Sequence, residues 1–374
     1  MRTRITELLG VEFPLFAFSH CRDVVAAVTG AGGFGVLGAV AFSPEQLDRE
    51  LSWIDERVGG RPYGVDVLIP GRIAEVAGDP RESLVEAIPD VHRDFVSHLF
   101  RKYGVPVSER TSGSSADEAG RRVTAEGASG LVDVALKHPI RLIASALGPP
   151  PAAMVEKARA AGVPVAALVG TVEHARRQVA AGADVIVAQG GEAGGHTGEI
   201  STMVLVPQVV DAVGVPVLAA GGIADGRQVA AALALGAEGV WCGSVWLTTE
   251  EAETPPALKR KLLAAGSLDT VRSRSRTGKP ARQLRSAWTD EWDDGLESPG
   301  SLPMPLQMLL AEAAHTRITR AAESGNPGAQ ALSNYFVGQV VGQLNQIKPA
   351  RQVLYDLLTT YATTLDRLTT INNS

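Results

Sequence analysis

Eight short, continuously apolar runs recur along the chain up to about residue 250, most of them separated by helical patterns, and this rhythm limits the possible folds more than any other feature. The runs are residues 14–18, 34–38, 63–69, 140–145, 164–169, 184–189, 216–221 and 238–243. They are continuous rather than alternating, as expected of parallel strands covered on both faces. Helix patterns lie between them at 44–57, 152–161, 172–181 and 227–235. Two of these start at cap signals, Ser43-Pro44 and Thr171 ahead of Val172. Eight strand–helix units in series predict an α/β fold, a (β/α)8 TIM barrel.

Two segments break the rhythm. Residues 71–137 separate the third and fourth runs by more than one crossover needs. They hold a helix pattern at 83–103 and a polar stretch, 108–126, rich in Ser, Gly and charge, which is expected to be a mobile loop. Residues 247–344 leave the barrel pattern and are expected to form a smaller, mainly helical second domain inserted after strand eight. The barrel would then comprise 1–246, with the insertion at 71–137, and residues 345–374 would supply its closing helix, patterned over 350–368.

Composition narrows the function classes. With 45% hydrophobic and 20% charged residues the chain reads as an ordinary globular protein. A formal charge of −6 and the lack of a basic stripe argue against nucleic acid as a partner. No apolar run reaches the roughly 18 residues of a membrane span, so no membrane partner is expected. The N-terminus, Met1-Arg2-Thr3-Arg4, lacks a signal-peptide core, and the expected location is cytoplasmic. Two cysteines, Cys21 and Cys242, make no disulfide framework and are expected to be small apolar fillers.

The chemistry is expected after the sixth run, in Ala188-Gln189-Gly190-Gly191-Glu192-Ala193-Gly194-Gly195-His196-Thr197-Gly198. Five glycines in these eleven residues let main-chain N–H groups approach a ligand without a Cβ in the way. A barrel keeps its active site on loops at the C-terminal ends of its strands. His196 lies in that loop, and a neutral imidazole there can take up a proton near pH 7. Glu192 either orients the imidazole or caps a helix, and the sequence leaves both roles open. Gly221-Gly222 and Gly243-Ser244 end strands seven and eight, where barrels often bind phosphate. His20, just past the first strand, and Ser145, ending the fourth, are candidates for the substrate pocket.

Other motifs carry less. Gly33-Phe34-Gly35-Val36-Leu37-Gly38 matches G-x-G-x-x-G, but a helix pattern precedes it and a strand run overlaps it. The dinucleotide fingerprint requires the reverse, so a tight helix-to-strand turn is expected. His92 and His98 lie six apart on a predicted helix, which is not one face, and no metal site is expected. Neither H-E-x-x-H nor G-x-S-x-G occurs.

Three blocks in order resemble a known family. They are residues 188–198, then Pro216-Val217-Leu218-Ala219-Ala220-Gly221-Gly222-Ile223-Ala224-Asp225-Gly226-Arg227, then 234–240 running into Cys242-Gly243-Ser244. Together they resemble the nitronate monooxygenase (2-nitropropane dioxygenase) family of FMN-dependent barrel enzymes. Residues 277–282 and 337–342 look like further landmarks of it. The resemblance implies that Gln189, Gly194, Gly195, Gly222, Trp241, Cys242, Gly243 and Ser244 lie against FMN and that His196 is the base. Asp66 matches a cofactor-facing position that is usually asparagine. Two further departures are Ala17-Phe18-Ser19-His20 in place of Gln-Ala-Pro-Met, and Thr197 in place of an arginine.

The implied reaction is oxidation of an alkyl nitronate with O2. The alternative is an FMN-dependent reductase or dehydrogenase of an acyl or enoyl thioester using NAD(P)H. An alternative of another class is a phosphate-ligand-binding barrel without flavin chemistry.

Overall fold

A computed structural model describes residues 1–68, 84–106, 125–146 and 148–372. The stretch 108–126 therefore lies almost wholly outside the described residues, as does the start of the 71–137 insertion.

Eight parallel strands close a barrel. They are β1 (Leu15–Ser19), β2 (Phe34–Gly38), β3 (Gly64–Leu68), β4 (Leu142–Ala146), β5 (Val165–Val169), β6 (Val185–Gln189), β8 (Val217–Ala220) and β9 (Gly239–Cys242). All eight apolar runs of the sequence became these strands. Closure joins β9 to β1, with Phe16 opposite Trp241. The remaining strands, β7 (Gly195–His196), β10 (Thr270–Ser273) and β11 (Ala281–Leu284), form a small antiparallel sheet.

The following α-helices lie among the described residues. α1 is Arg4–Leu9, α2 Arg22–Gly30, α3 Pro44–Val58, α4 Asp90–Lys102, α5 Ala125–Ala135, α6 Ala152–Ala160 and α7 Val172–Ala180. After β6 come α8 (Thr202–Ala212), α9 (Gly226–Ala234), α10 (Pro256–Ala264), α11 (Ala287–Asp293), α12 (Leu306–Glu323), α13 (Pro327–Leu332) and α14 (Ala350–Asn372). The caps read in the sequence are made: Ser43 and Gln46 form a capping box on α3, and Thr171 accepts from His174 N at the start of α7.

Strand alternation sorts side chains into two layers. Phe16, Phe34, Leu142, Ala166, Val185, Leu218 and Trp241 fill the barrel interior, and Ile5, Leu9 and Val11, from α1 and the turn after it, pack into the same core. Val65, Val67 and Ile143 point outward against Leu47, Leu51 and Ile54 of α3. The Gly33–Gly38 motif is the seat of α2 on β2. A Cβ on Gly35 would lie 2.5 Å from the Val25 carbonyl, and Gly35 N–H donates to Thr29 Oγ1 at 3.1 Å. Gly33 and Gly35 thus permit close helix–strand packing.

The region after β9 is joined to the barrel at several places. β11 pairs with β7, Ala281 opposite His196. Phe95, Leu99 and Phe100 of α4 form one core with Trp288 and Trp292 of α11 and Ile318 of α12. α14 packs against α9 and α2.

Candidate active site

The C-terminal ends of the barrel strands open into one cavity of about 930 Å³, a size suited to a cofactor and a small substrate. Its floor is aromatic, with the Phe18 and Trp241 rings stacked at 6.3 Å between centroids and 24° between planes. Tyr335 and Phe336 line it from the region after β9.

The glycine loop after β6 is shaped by contacts a side chain would block. Gly190 N–H donates to Ala220 O at 2.9 Å and Gly191 N–H to Ile200 O at 2.8 Å. A Cβ on Gly194 would stand 2.9 Å from the main chain of Val337 and Gly338. Glu192 caps α8: its carboxylate accepts from Thr202 N–H at 2.9 and 3.1 Å and from Thr202 Oγ1 at 2.9 Å. Of its two possible roles, the structure thus assigns helix capping.

His196 sits in β7 with Nδ1 3.3 Å from Pro280 O. A carbonyl only accepts, so the facing Nδ1 carries the proton and Nε2 keeps its lone pair. Burial lowers the imidazole's pKa below its ordinary value; the Pro280 carbonyl opposes this and Lys279 adds to it. The ring is therefore neutral at pH 7 and able to accept a proton.

Opposite lies a main-chain cradle. Gly221 and Gly222 follow β8 with φ of 95° and 70°, a main-chain path that glycine takes without steric cost. Among the described residues, the N–H groups of Gly222, Ile223, Gly243 and Ser244 donate to no main-chain acceptor. A Cβ on Gly222 would meet nothing nearer than Glu192 Cβ at 3.7 Å, and one on Gly243 only Phe18 Cδ1 at 4.0 Å. Ser244 opens a short 3-10 turn, and its Oγ accepts from Gly338 N–H at 2.8 Å. Its own hydroxyl hydrogen stays available to a ligand.

Asp66 lines the cavity from β3, and burial pushes its carboxyl up to about 7. His20 also lines it, held by Nδ1 at 2.9 Å from Gly38 O, and burial lowers its pKa. Gln189 closes one side, its Nε2 3.5 Å from Gly194 O. Gly195, with φ of 78°, leaves open space above it. Cys242 reaches the cavity wall, but its side chain packs in the outer layer with Val24 and Leu354, and burial pushes the thiol up to about 12.

Ser145 is not brought to the site. Its register partner is the outward-facing Val67, and it is not part of the cavity lining. Strand alternation sends its side chain to the helix layer while Asp66, one position out of phase, faces in.

Sequence reasoning missed Arg272 and Lys279, which line the cavity from the region after β9. Arg272 donates to Thr197 O at 3.2 Å and to Glu199 Oε1 at 3.3 Å. A guanidinium from β10 thus stands beside residue 197, where the resemblance led one to expect an arginine. The available signal was the landmark at 277–282, whose strand partner is the His196 segment.

Comparison with known proteins places this geometry. The profile of the nitronate monooxygenase family matches residues 2–360. The chain is 62% identical over 374 residues to Rv1533 of Mycobacterium tuberculosis, which is named as a monooxygenase, covering 98% of each. It is 30% identical to a protein of Staphylococcus saprophyticus named as a nitronate monooxygenase, covering 87% of this chain and 89% of the relative. Among solved structures, nitroalkane oxidase from Streptomyces ansochromogenes superposes with a TM-score of 0.78 at 27% identity, covering 98% of this chain and 100% of that one. FabK from Thermotoga maritima gives a TM-score of 0.72 at 28% identity, covering 99% of both. No helix among the described residues is long and apolar enough to cross a membrane.

Proposed function

The chain belongs to the nitronate monooxygenase family and is an oxidoreductase, and from that premise we propose that it binds FMN and oxidises alkyl nitronates with O2. The observation that carries this reading is one cavity holding both an anion cradle at the ends of β8 and β9 and a neutral imidazole at His196. The cradle suits a phosphate, because four residues whose N–H groups have no main-chain acceptor line the cavity where a Cβ on Gly222 or Gly243 would meet open space. The bare Gly194–Gly195 main chain suits a flat ring system.

Bound there, the flavin supplies the electron transfer and the oxygen chemistry. His196 Nε2 takes the proton from the carbon beside the nitro group of a neutral nitroalkane, or holds an already formed nitronate through a hydrogen bond once protonated. The Pro280 carbonyl fixes the ring's tautomer. Trp241 and Phe18 present an apolar floor to the substrate.

A second reading, redox chemistry on an acyl or enoyl thioester with NAD(P)H, is favoured by the cations of the lining. Arg177, Arg272 and Lys279 would suit a long anionic substrate.

The test begins with the visible spectrum of the purified protein. Flavin bands, with FMN identified after release, support the cofactor assignment, and a colourless protein that takes up no FMN rejects it. Steady-state oxygen consumption with a nitronate, set against NAD(P)H oxidation with an enoyl thioester, separates the two substrate classes. Activity only in the second assay would overturn the nitronate reading.

A further inference from the structure

We infer that Asp66 serves as a neutral carboxylic acid that donates a hydrogen bond to the cofactor, so that cofactor binding requires a proton on Asp66. This inference rests on the flavin reading above.

The side chain of Asp66 stands on the interior face of β3, lines the cavity and is only 6% exposed. A buried carboxylate is normally paired, yet no hydrogen bond or ion pair reaches this one among the described residues. Its strand neighbours explain why. In register beside it are Gly38 on β2 and Ala144 on β4, neither with a polar side chain. The 3-10 turn packed against β3 is Ala39–Ala41, again without a polar side chain. α5 covers the outer face of β3, and its Asp133 is held by Lys157 Nζ at 2.5 Å. The other titratable groups of the cavity wall are His20, Cys21, His174, Arg177, Glu192, His196, Cys242, Glu253, Arg272, Lys279 and Tyr335. None of these contributes to the shift of Asp66, which burial alone raises.

An unpaired carboxyl in such a wall keeps its proton and has one O–H to donate. Among the described residues, the space it lines is the cavity. At the matching position the family resemblance places asparagine, whose amide also donates. A protonated aspartic acid preserves that donor, whereas the ionised form loses it and leaves a buried charge without a partner. Keeping a carboxylic acid neutral so that it can donate is an established use of an apolar site.

The test measures FMN affinity of the flavin-free protein by fluorescence quenching between pH 6 and 8.5, for wild type and Asp66→Asn. Wild-type Kd should rise about tenfold per pH unit above 7, as binding that requires one proton dictates. Asp66→Asn should match wild type at pH 6 and stay flat above 7. The phosphate's own second ionisation, near pH 6, acts on both proteins alike. His20 and His196 have pKa values lowered below 6.5 by burial, so both are mainly neutral above pH 7, where the predicted effect lies.

A second measurement needs no variant. Calorimetry of FMN binding at pH 8 in buffers of different ionisation enthalpy should show uptake of about one proton. A wild-type Kd that holds through pH 8.5, equal pH profiles in the two proteins, or binding at pH 8 without proton uptake would each overturn the inference. Failure of wild type to bind FMN at any pH would instead overturn the flavin reading, and this inference with it.

Discussion

In the proposed mechanism His196 is the base, and its surroundings set its pH behaviour. Its pKa is lowered from 6.5, mainly by burial. A role as base is therefore present through neutral pH and is lost as pH falls below that value. His196→Asn keeps the size and removes the basic nitrogen. Turnover of a neutral nitroalkane, normalised to flavin content, should fall by about 10²–10⁴. With pre-formed nitronate the loss should be smaller, because the proton has already left. Equal rates on the neutral substrate would reject the role.

Asp66 makes a separate prediction about stability. Its carboxyl is raised from 3.8 to about 7 on folding. The group's contribution is thus fully present below 3.8 and is lost as pH rises toward 7, after which it changes no further. In flavin-free protein, Asp66→Asn should raise the denaturation midpoint at pH 8 more than at pH 5. The gain at pH 8 is bounded by a few kcal/mol, at about 1.4 kcal/mol per pKa unit. A midpoint difference between the two proteins that is the same at both pH values would contradict the protonation state.

At the scale of elements, the ends of β8 and β9 carry the next prediction. Gly222 has φ of 70° and faces open cavity, so Gly222→Leu both strains the main chain and fills the cradle. The variant should fold, by far-ultraviolet circular dichroism, and lose flavin on gel filtration. Full flavin occupancy would defeat the cradle assignment. These glycines were legible in the sequence because positive φ and an open main chain demand that residue type. The eight barrel strands were legible because both faces are buried and the runs are continuously apolar.

Three features were not legible, each for a physical reason. β7 is two residues, Gly195–His196, with no apolar pattern, and exists only through pairing with β11. Arg272 reaches Thr197 through that same long-range pairing. Ser145 ends an apolar run in which every position looks alike, so the run could not reveal which residues face inward. Only the register, Asp66 with Ala144 and Val67 with Ser145, sets that phase.

Across the whole molecule, the ring of barrel helices includes a segment from the far end of the chain. α14 lies against α9 and α2, and at Gly226 its main chain closely approaches that of α9. A Cβ on Gly226, the first residue of α9, would overlap Tyr361 N and Leu357 O, while Gly226 N–H donates to Thr360 Oγ1 at 2.9 Å. The atoms in the way are peptide atoms of a helix and cannot rotate aside. Gly226→Ala should therefore cost about 1–3 kcal/mol, as overpacking of a tight contact does. Gly30, in α2, is the control: a Cβ there meets nothing within 4 Å, so Gly30→Ala should be neutral or add about 0.4–1 kcal/mol through the unfolded chain. Urea unfolding of the two variants and wild type reads the difference. A Gly226→Ala midpoint equal to or above that of wild type would mean that α14 does not close the barrel at this contact.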